Sequence, residues 1–171
     1  MTYCRMQRDL KYSKKHFALM KEQNMHVVIM SGASGSGKNT YIEKHYNSAS
    51  IVSADDFFYV NGEYKFDHNM LGLAHAQCFR NFIYFLLNNH NLIVVNNTNT
   101  SVIELAPYVA AANAFNATFE LITLMKDPAL CANRNVHGVS FNTIESMVNR
   151  IKNRHIPKHW NFTSITEITT D

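Results

Sequence analysis

Residues 26–40 read His26-Val27-Val28-Ile29-Met30-Ser31-Gly32-Ala33-Ser34-Gly35-Ser36-Gly37-Lys38-Asn39-Thr40. The first five form a short apolar run with β-branched residues. Bounded by glycine, a run of this length predicts a buried parallel strand. The stretch from Gly32 to Thr40 fits the pattern GxxxxGK, with Gly32 and Gly37 at the required spacing. Glycines let a backbone wrap at positive φ and bring its N–H groups against phosphate oxygens. A helix starting near Gly37 would aim its N-terminus at the same anion. Lys38 would add a mobile cation for the β- and γ-phosphates. Strand, loop and helix occur in the order such a site needs. Gly32, Ser34, Gly35, Ser36, Gly37, Lys38, Asn39 and Thr40 are therefore expected to hold ATP. One position is out of pattern. The residue after the lysine is normally Ser or Thr, whose hydroxyl binds magnesium. Here it is Asn39, a longer amide in a tight loop, and Thr40 would point elsewhere on the helix.

Short apolar runs recur outward from this loop. Ile51-Val52-Ser53, residues 91–95 and residues 118–125 predict three more strands. Residues 69–88, 102–114, 129–134 and 142–154 carry helical spacing. The Thr- and Ile-rich tail over residues 162–168 suits a last strand. Residues 57–66 are aromatic and broken by Asn61-Gly62, a turn dipeptide. Strands alternating with helices predict an α/β fold of three layers, a parallel sheet with helices on both faces. Ligands in such sheets sit at the carboxyl ends of the strands. The polar motifs of this chain fall just after its apolar runs.

The whole chain has 171 residues and a formal charge of +3, from 16 basic and 13 acidic side chains. That size suits one domain with a short appendage. A basic N-terminal arm or helix is expected over residues 1–24 and the domain over residues 25–171. The mild charge permits an anionic partner without announcing one. No apolar run approaches the 18 residues or more of a membrane span. Three widely spaced cysteines, Cys4, Cys78 and Cys131, argue against disulfides or zinc and for an intracellular compartment, cytoplasm or nucleus. Three of the six glycines fall within six positions, and twenty Asn stand against 13 acids.

Three further places carry chemistry. Ser53-Ala54-Asp55-Asp56-Phe57-Phe58 follows the second strand, where a carboxylate facing a phosphate site could accept a proton from an incoming hydroxyl. Asp55 is the better placed of the pair; Asp56 is expected to cap the next segment or bind a second ligand. Val94-Val95-Asn96-Asn97-Thr98-Asn99-Thr100 ends the third strand. Related sites often keep a magnesium-binding Asp there; this chain has Asn96 and Asn97, and Asn99 or Thr100 is expected to cap the next helix. Asn133-Arg134-Asn135-Val136-His137-Gly138-Val139 offers Arg134 as a clamp on phosphoryl oxygens. Arg150 and Arg154 lie further along, and His137 beside Gly138 is a weak signal by itself.

Taken together, these motifs resemble the polynucleotide-kinase branch of phosphate-loop kinases. That branch includes phage-type 5′-hydroxyl polynucleotide kinases and the kinase-like domain of some 2′,3′-cyclic nucleotide phosphodiesterases. The resemblance runs from Val27 to Arg154 and includes Gly62-Glu63-Tyr64-Lys65-Phe66-Asp67, Ala74-His75 and Pro107-Tyr108. It implies that Lys38 and the loop amides hold ATP phosphates, that Asp55 is the general base toward a nucleic-acid 5′-hydroxyl, and that Arg134 is a lid arginine. The chain departs in three places. Asn39 replaces Ser or Thr. Asn96 (or, in an alternative alignment, Asn97) replaces Asp. Phe58 stands where phage-type members have Arg. The first two touch magnesium, so Asn39 and Asn96 become the expected, weakened ligands of Mg2+.

An ATP-dependent kinase acting on a 5′ end of RNA or DNA is thus expected. The alternatives are a catalytically impaired ATP-binding module and a kinase of small molecules or nucleosides. No phosphatase or ligase motif accompanies the kinase motifs, so a repair or ligase partner is expected to be a separate chain.

Overall fold

The computed structural model describes residues 24–169; the basic arm expected over residues 1–24 lies outside them but for its last residue. Strand β1 (His26–Ser31) sets the architecture. Val27, Val28, Ile29 and Met30 are all fully buried. Alternate side chains of a strand point to opposite faces, so a run apolar at every position is covered on both. Val27 and Ile29 enter one core cluster, and Val28 and Met30 enter another.

The sheet has five strands in the order β2-β5-β1-β6-β7, all parallel. Beside β1 lie β5 (Leu92–Val95) and β6 (Thr118–Met125), and β2 (Ser50–Val52) and β7 (Ser164–Thr169) form the edges. On the first face lie α2 (Leu71–Leu87), through Ala74, Cys78, Phe82 and Leu86, and α3 (Val102–Ala114), through Leu105, Tyr108, Val109 and Ala112. On the second, Ile42 of α1 (Lys38–His45) packs on Val28, Met30 and Val94, flanked by Tyr41 and Tyr46. The expected three-layer α/β fold is borne out. A third cluster joins Ala33 and Met125 to Cys131 of α4 (Pro128–Arg134) and to Ile144, Val148 and Ile151 of α5 (Phe141–Asn153). That cluster holds the lid segment over the loop.

Two local details differ from expectation. The cap of α3 is Ser101, in a capping box with Glu104, rather than Asn99 or Thr100. Asn99 instead adopts φ 41° and donates Nδ2 to the Met30 carbonyl at 2.8 Å, locking β1 to the turn. Arg154, given no role by the sequence, has a structural one. It donates to Ser31 Oγ (2.6 Å), the Asn99 carbonyl (2.7 Å) and Thr123 Oγ1 (2.6 Å), so it clamps strand ends together. Arg150 likewise donates to Thr100 Oγ1 at 3.1 Å. Among the described residues, no helix is long and apolar enough to cross a membrane.

Candidate active site

At the carboxyl ends of β1, β2 and β5 lies a cleft of about 510 Å³. The loop between β1 and α1 forms its floor. Gly35 has φ 79°, and a Cβ there would overlap the carbonyl of Cys131. Only glycine allows α4 to sit this close to the loop. Lys38 Nζ donates to the carbonyls of Gly32 and Ala33, each at 2.9 Å. Burial pushes this ammonium down to about 8, against the raising influence of Asp55. The lysine is thus held by its own loop, with its charged form stabilised by a carboxylate across the cleft.

Asp55 opens a short 3₁₀ turn, Asp55–Phe58, directly after β2. Asn97 fixes the approach to that turn. Its Oδ1 accepts from the Ala54 N–H (2.9 Å), and its Nδ2 reaches Tyr108 Oη (3.1 Å) and Cys78 Sγ (3.4 Å). Asn96 and Asn97 both line the cleft, but Asn97 is buried and tied into the core, whereas Asn96 pairs with Asn39. Asp55 lines the cleft; Asp56 does not. Phe58 is buried, packed by Tyr64 and Phe66, which accounts for the apolar residue at a position where an arginine was the alternative.

Asn96 Nδ2 donates to Asn39 Oδ1 at 2.9 Å. Asn96 Oδ1 is buried and has no hydrogen-bond partner among the described residues. A buried carbonyl oxygen without a partner is costly, and hard oxygens are what magnesium selects. The pair therefore fits a divalent cation, but as neutral donors. Carboxylates normally bring charge to such a site, and here the charge balance would have to come from phosphate.

Arg134 ends α4 and reaches the cleft from the lid side. Lys38, Asn39, Asp55, Asn96 and Arg134, from four segments of the chain, are brought together. Gly32 and Ser36 belong to the loop but do not line the cleft, and Ser36 Oγ is buried without a partner among the described residues. Three neighbours are given no role by the sequence, where His137 is only a weak signal. Tyr64 Oη donates to Asp55 Oδ1 at 3.3 Å. Tyr64 comes from a hairpin of β3 (Tyr59–Val60) and β4 (Glu63–Tyr64), closed by Asn61 (φ 54°) and Gly62 (φ 85°). Positive φ at both turn residues is the geometry the Asn-Gly dipeptide predicts. His137 Nε2 lies 4.0 Å from Asp55 Oδ2. Asn135 accepts from Ser34 Oγ at 3.1 Å. Only the position of Asn135 and His137 beside Arg134 hinted at a role for them.

Comparison with known proteins matches residues 27–150 to a family described as AAA domain (AAA_33). Human NEDD4-binding protein 2 is 35% identical over 129 residues, covering 71% of this chain and 7% of that protein. The match therefore spans only a small part of that relative. A chain of the Pnkp1/Rnl/Hen1 RNA repair complex superposes with a TM-score of 0.63 at 19% identity, over 77% of this chain and 45% of that one. The APS kinase CysC of Mycobacterium tuberculosis superposes at 0.53 with 15% identity, over 85% and 89%. At such identities the structural likenesses speak for the fold alone.

Proposed function

Since the chain belongs to this AAA-domain family of phosphate-loop kinases, we propose that it is an ATP-dependent kinase that transfers the γ-phosphate to a 5′-hydroxyl end of RNA or DNA. One observation carries the reading: Lys38, Asp55 and Arg134 face a single cleft from the loop, the turn after β2 and the end of α4. The RNA repair complex to which that structural neighbour belongs makes a nucleic acid the acceptor class to test first.

The loop amides and Lys38 bind the ATP phosphates. Lys38 exchanges the Gly32 and Ala33 carbonyls for phosphate oxygens, which offsets the burial that now depresses its charge. Arg134 takes charge on the transferring group and orients it. Asp55 is the general base. As the acceptor oxygen bonds to the γ-phosphorus, its proton passes to the Asp55 carboxylate, and the bond to the β–γ bridging oxygen breaks with ADP leaving. Asn39 and Asn96 would hold a magnesium ion, whose chemistry is to neutralise charge on the phosphates. Tyr64 holds one Asp55 oxygen.

A second reading, an ATP-binding module without turnover, is favoured by the bond between Asn39 and Asn96. Labelled ATP with a 5′-hydroxyl oligonucleotide separates the two. Label on the oligonucleotide, lost in Asp55→Asn, supports the kinase. Retained ATP binding without transfer in magnesium or manganese supports the module. Transfer to a small hydroxyl compound but not to the oligonucleotide would replace the acceptor.

A further inference from the structure

Asp55 is half-exposed, with 54% of its side chain open. A carboxylate so open samples several rotamers unless something holds it, and a general base works only within hydrogen-bond reach of its proton. Two groups stand against it. Tyr64 Oη holds Oδ1 at 3.3 Å, and His137 Nε2 faces Oδ2 at 4.0 Å. The imidazole also packs on the Tyr64 ring, with centroids 4.6 Å apart. His137 is thereby wedged between the two oxygens' surroundings and the aromatic hairpin.

What places His137 there is Asn135. Its Oδ1 accepts from the His137 N–H (3.1 Å) and from Ser34 Oγ (3.1 Å), while its Nδ2 donates to the Val139 carbonyl (2.8 Å). One side chain therefore fixes the lid turn on both sides of His137 and ties it to the phosphate loop. Gly138, at φ 68°, supplies the turn that doubles the chain back. A displacement of Ser34 by a bound phosphate would be felt by Asn135, and through it by His137.

We propose that His137 is a positioning residue for Asp55 and that Asn135 couples its placement to the phosphate loop. The kinetic consequences rest on the kinase reading above, while the contacts do not. His137→Ala is expected to lower kcat between about tenfold and a hundredfold, the range a misplaced catalytic group produces. Binding of a fluorescent ATP analogue should stay within about twofold, because the loop amides and Lys38 are untouched. His137→Gln, which keeps a donor at the same reach, should recover most of kcat. Asn135→Ala should share the defect, and the Asn135→Ala/His137→Ala double variant should fall no further than the worse single one. Additive losses without rescue by Gln would overturn the proposal.

Imidazole NMR signals give an arm independent of turnover. The His137 signals, identified by their loss in His137→Gln, should move in both Asp55→Asn and Asn135→Ala, while those of His26 stay. Signals unmoved in both variants would sink the link. A wild-type chain that binds ATP but transfers nothing would instead remove the kinase reading, leaving the NMR arm to decide this one.

Discussion

Asn96 donates Nδ2 to Asn39 Oδ1 at 2.9 Å, so the two positions proposed to hold magnesium pair with each other through neutral groups. The remaining oxygen, Asn96 Oδ1, is buried without a partner among the described residues. Turnover should therefore be limited by charge at this spot rather than by the base. Asn96→Asp adds a carboxylate there. Without nucleotide it should lower Tm by a few degrees, because a partly buried charge lacks a partner. With magnesium and ATP the loss should reverse, and transfer should rise about tenfold, since each 1.36 kcal/mol of transition-state stabilisation gives that factor. Thermal shift with and without nucleotide, beside a magnesium titration of the rate, checks both. A rate unchanged at every magnesium concentration would place the metal elsewhere.

Lys38 gives the pH dependence. Burial holds its ammonium at about 8, below the ordinary 10.5. Below that value the lysine is charged and attracts phosphate; above it the lysine is neutral. Affinity for a non-hydrolysable ATP analogue should accordingly be flat from pH 6 to 7 and weaken as pH rises through about 8. Lys38→Met should bind weakly at all pH values and lose that slope. Isothermal titration across pH 6 to 9.5 measures it, and an identical slope in Lys38→Met would assign the effect to another group.

The fold was legible because its signals are local. Val27 to Met30 is apolar at every position, which only a doubly covered strand requires, and Asn61-Gly62 meets a backbone need of its own turn. The loop glycines, Lys38 and Asp55 were legible for the same reason: each sits at a fixed offset from a strand end. What was not legible depends on chain segments far apart. Arg154 looks like any helix-end arginine until Ser31, 123 residues away, accepts from it. Asn135 looks like any turn asparagine until Ser34, 101 residues away, donates to it. The difference between Asn96 and Asn97 is one of side: successive residues at a strand end point oppositely, so one meets Asn39 and the other Tyr108. Sequence offset alone could not decide which.

Glu120 holds the far end of the sheet. It accepts from His26 Nε2 (3.1 Å), Tyr46 Oη (3.0 Å) and Ser164 Oγ (2.8 Å), bridging β1, α1 and β7. Burial pushes its carboxyl up, but these hydrogen bonds outweigh that and hold it below the ordinary carboxylate range. A depressed carboxylate contributes stability that is present above the unfolded value, 4.5, and is lost as pH falls through the folded one. Glu120→Gln should cost about 1–3 kcal/mol at neutral pH and flatten the acid limb of a Tm–pH profile. ATP affinity should be unchanged, because the network lies at the opposite strand ends from the cleft. A parallel loss of ATP affinity would show that the two ends are coupled.

Gly35 and Gly72 form a matched pair. Gly35 sits at φ 79°, and a Cβ there would run into the backbone of Cys131 and Asn135. Neither is a flexible side-chain tip, so the loop or α4 must move. Gly35→Ala should therefore combine a left-handed backbone cost of about 1–3 kcal/mol with displacement of the lid that carries Arg134. Loss of ATP affinity of about tenfold or more is expected, with transfer abolished. Gly72 lies in the first turn of α2, with nothing within 4 Å of its added Cβ. Gly72→Ala should stabilise the chain by up to about 1 kcal/mol, by restricting the unfolded state, and leave ATP binding as it was. Circular dichroism on both variants tests whether the fold survives, and analogue binding tests the site. If Gly35→Ala bound ATP as tightly as Gly72→Ala, the close approach of α4 to the phosphate loop would have no bearing on nucleotide binding.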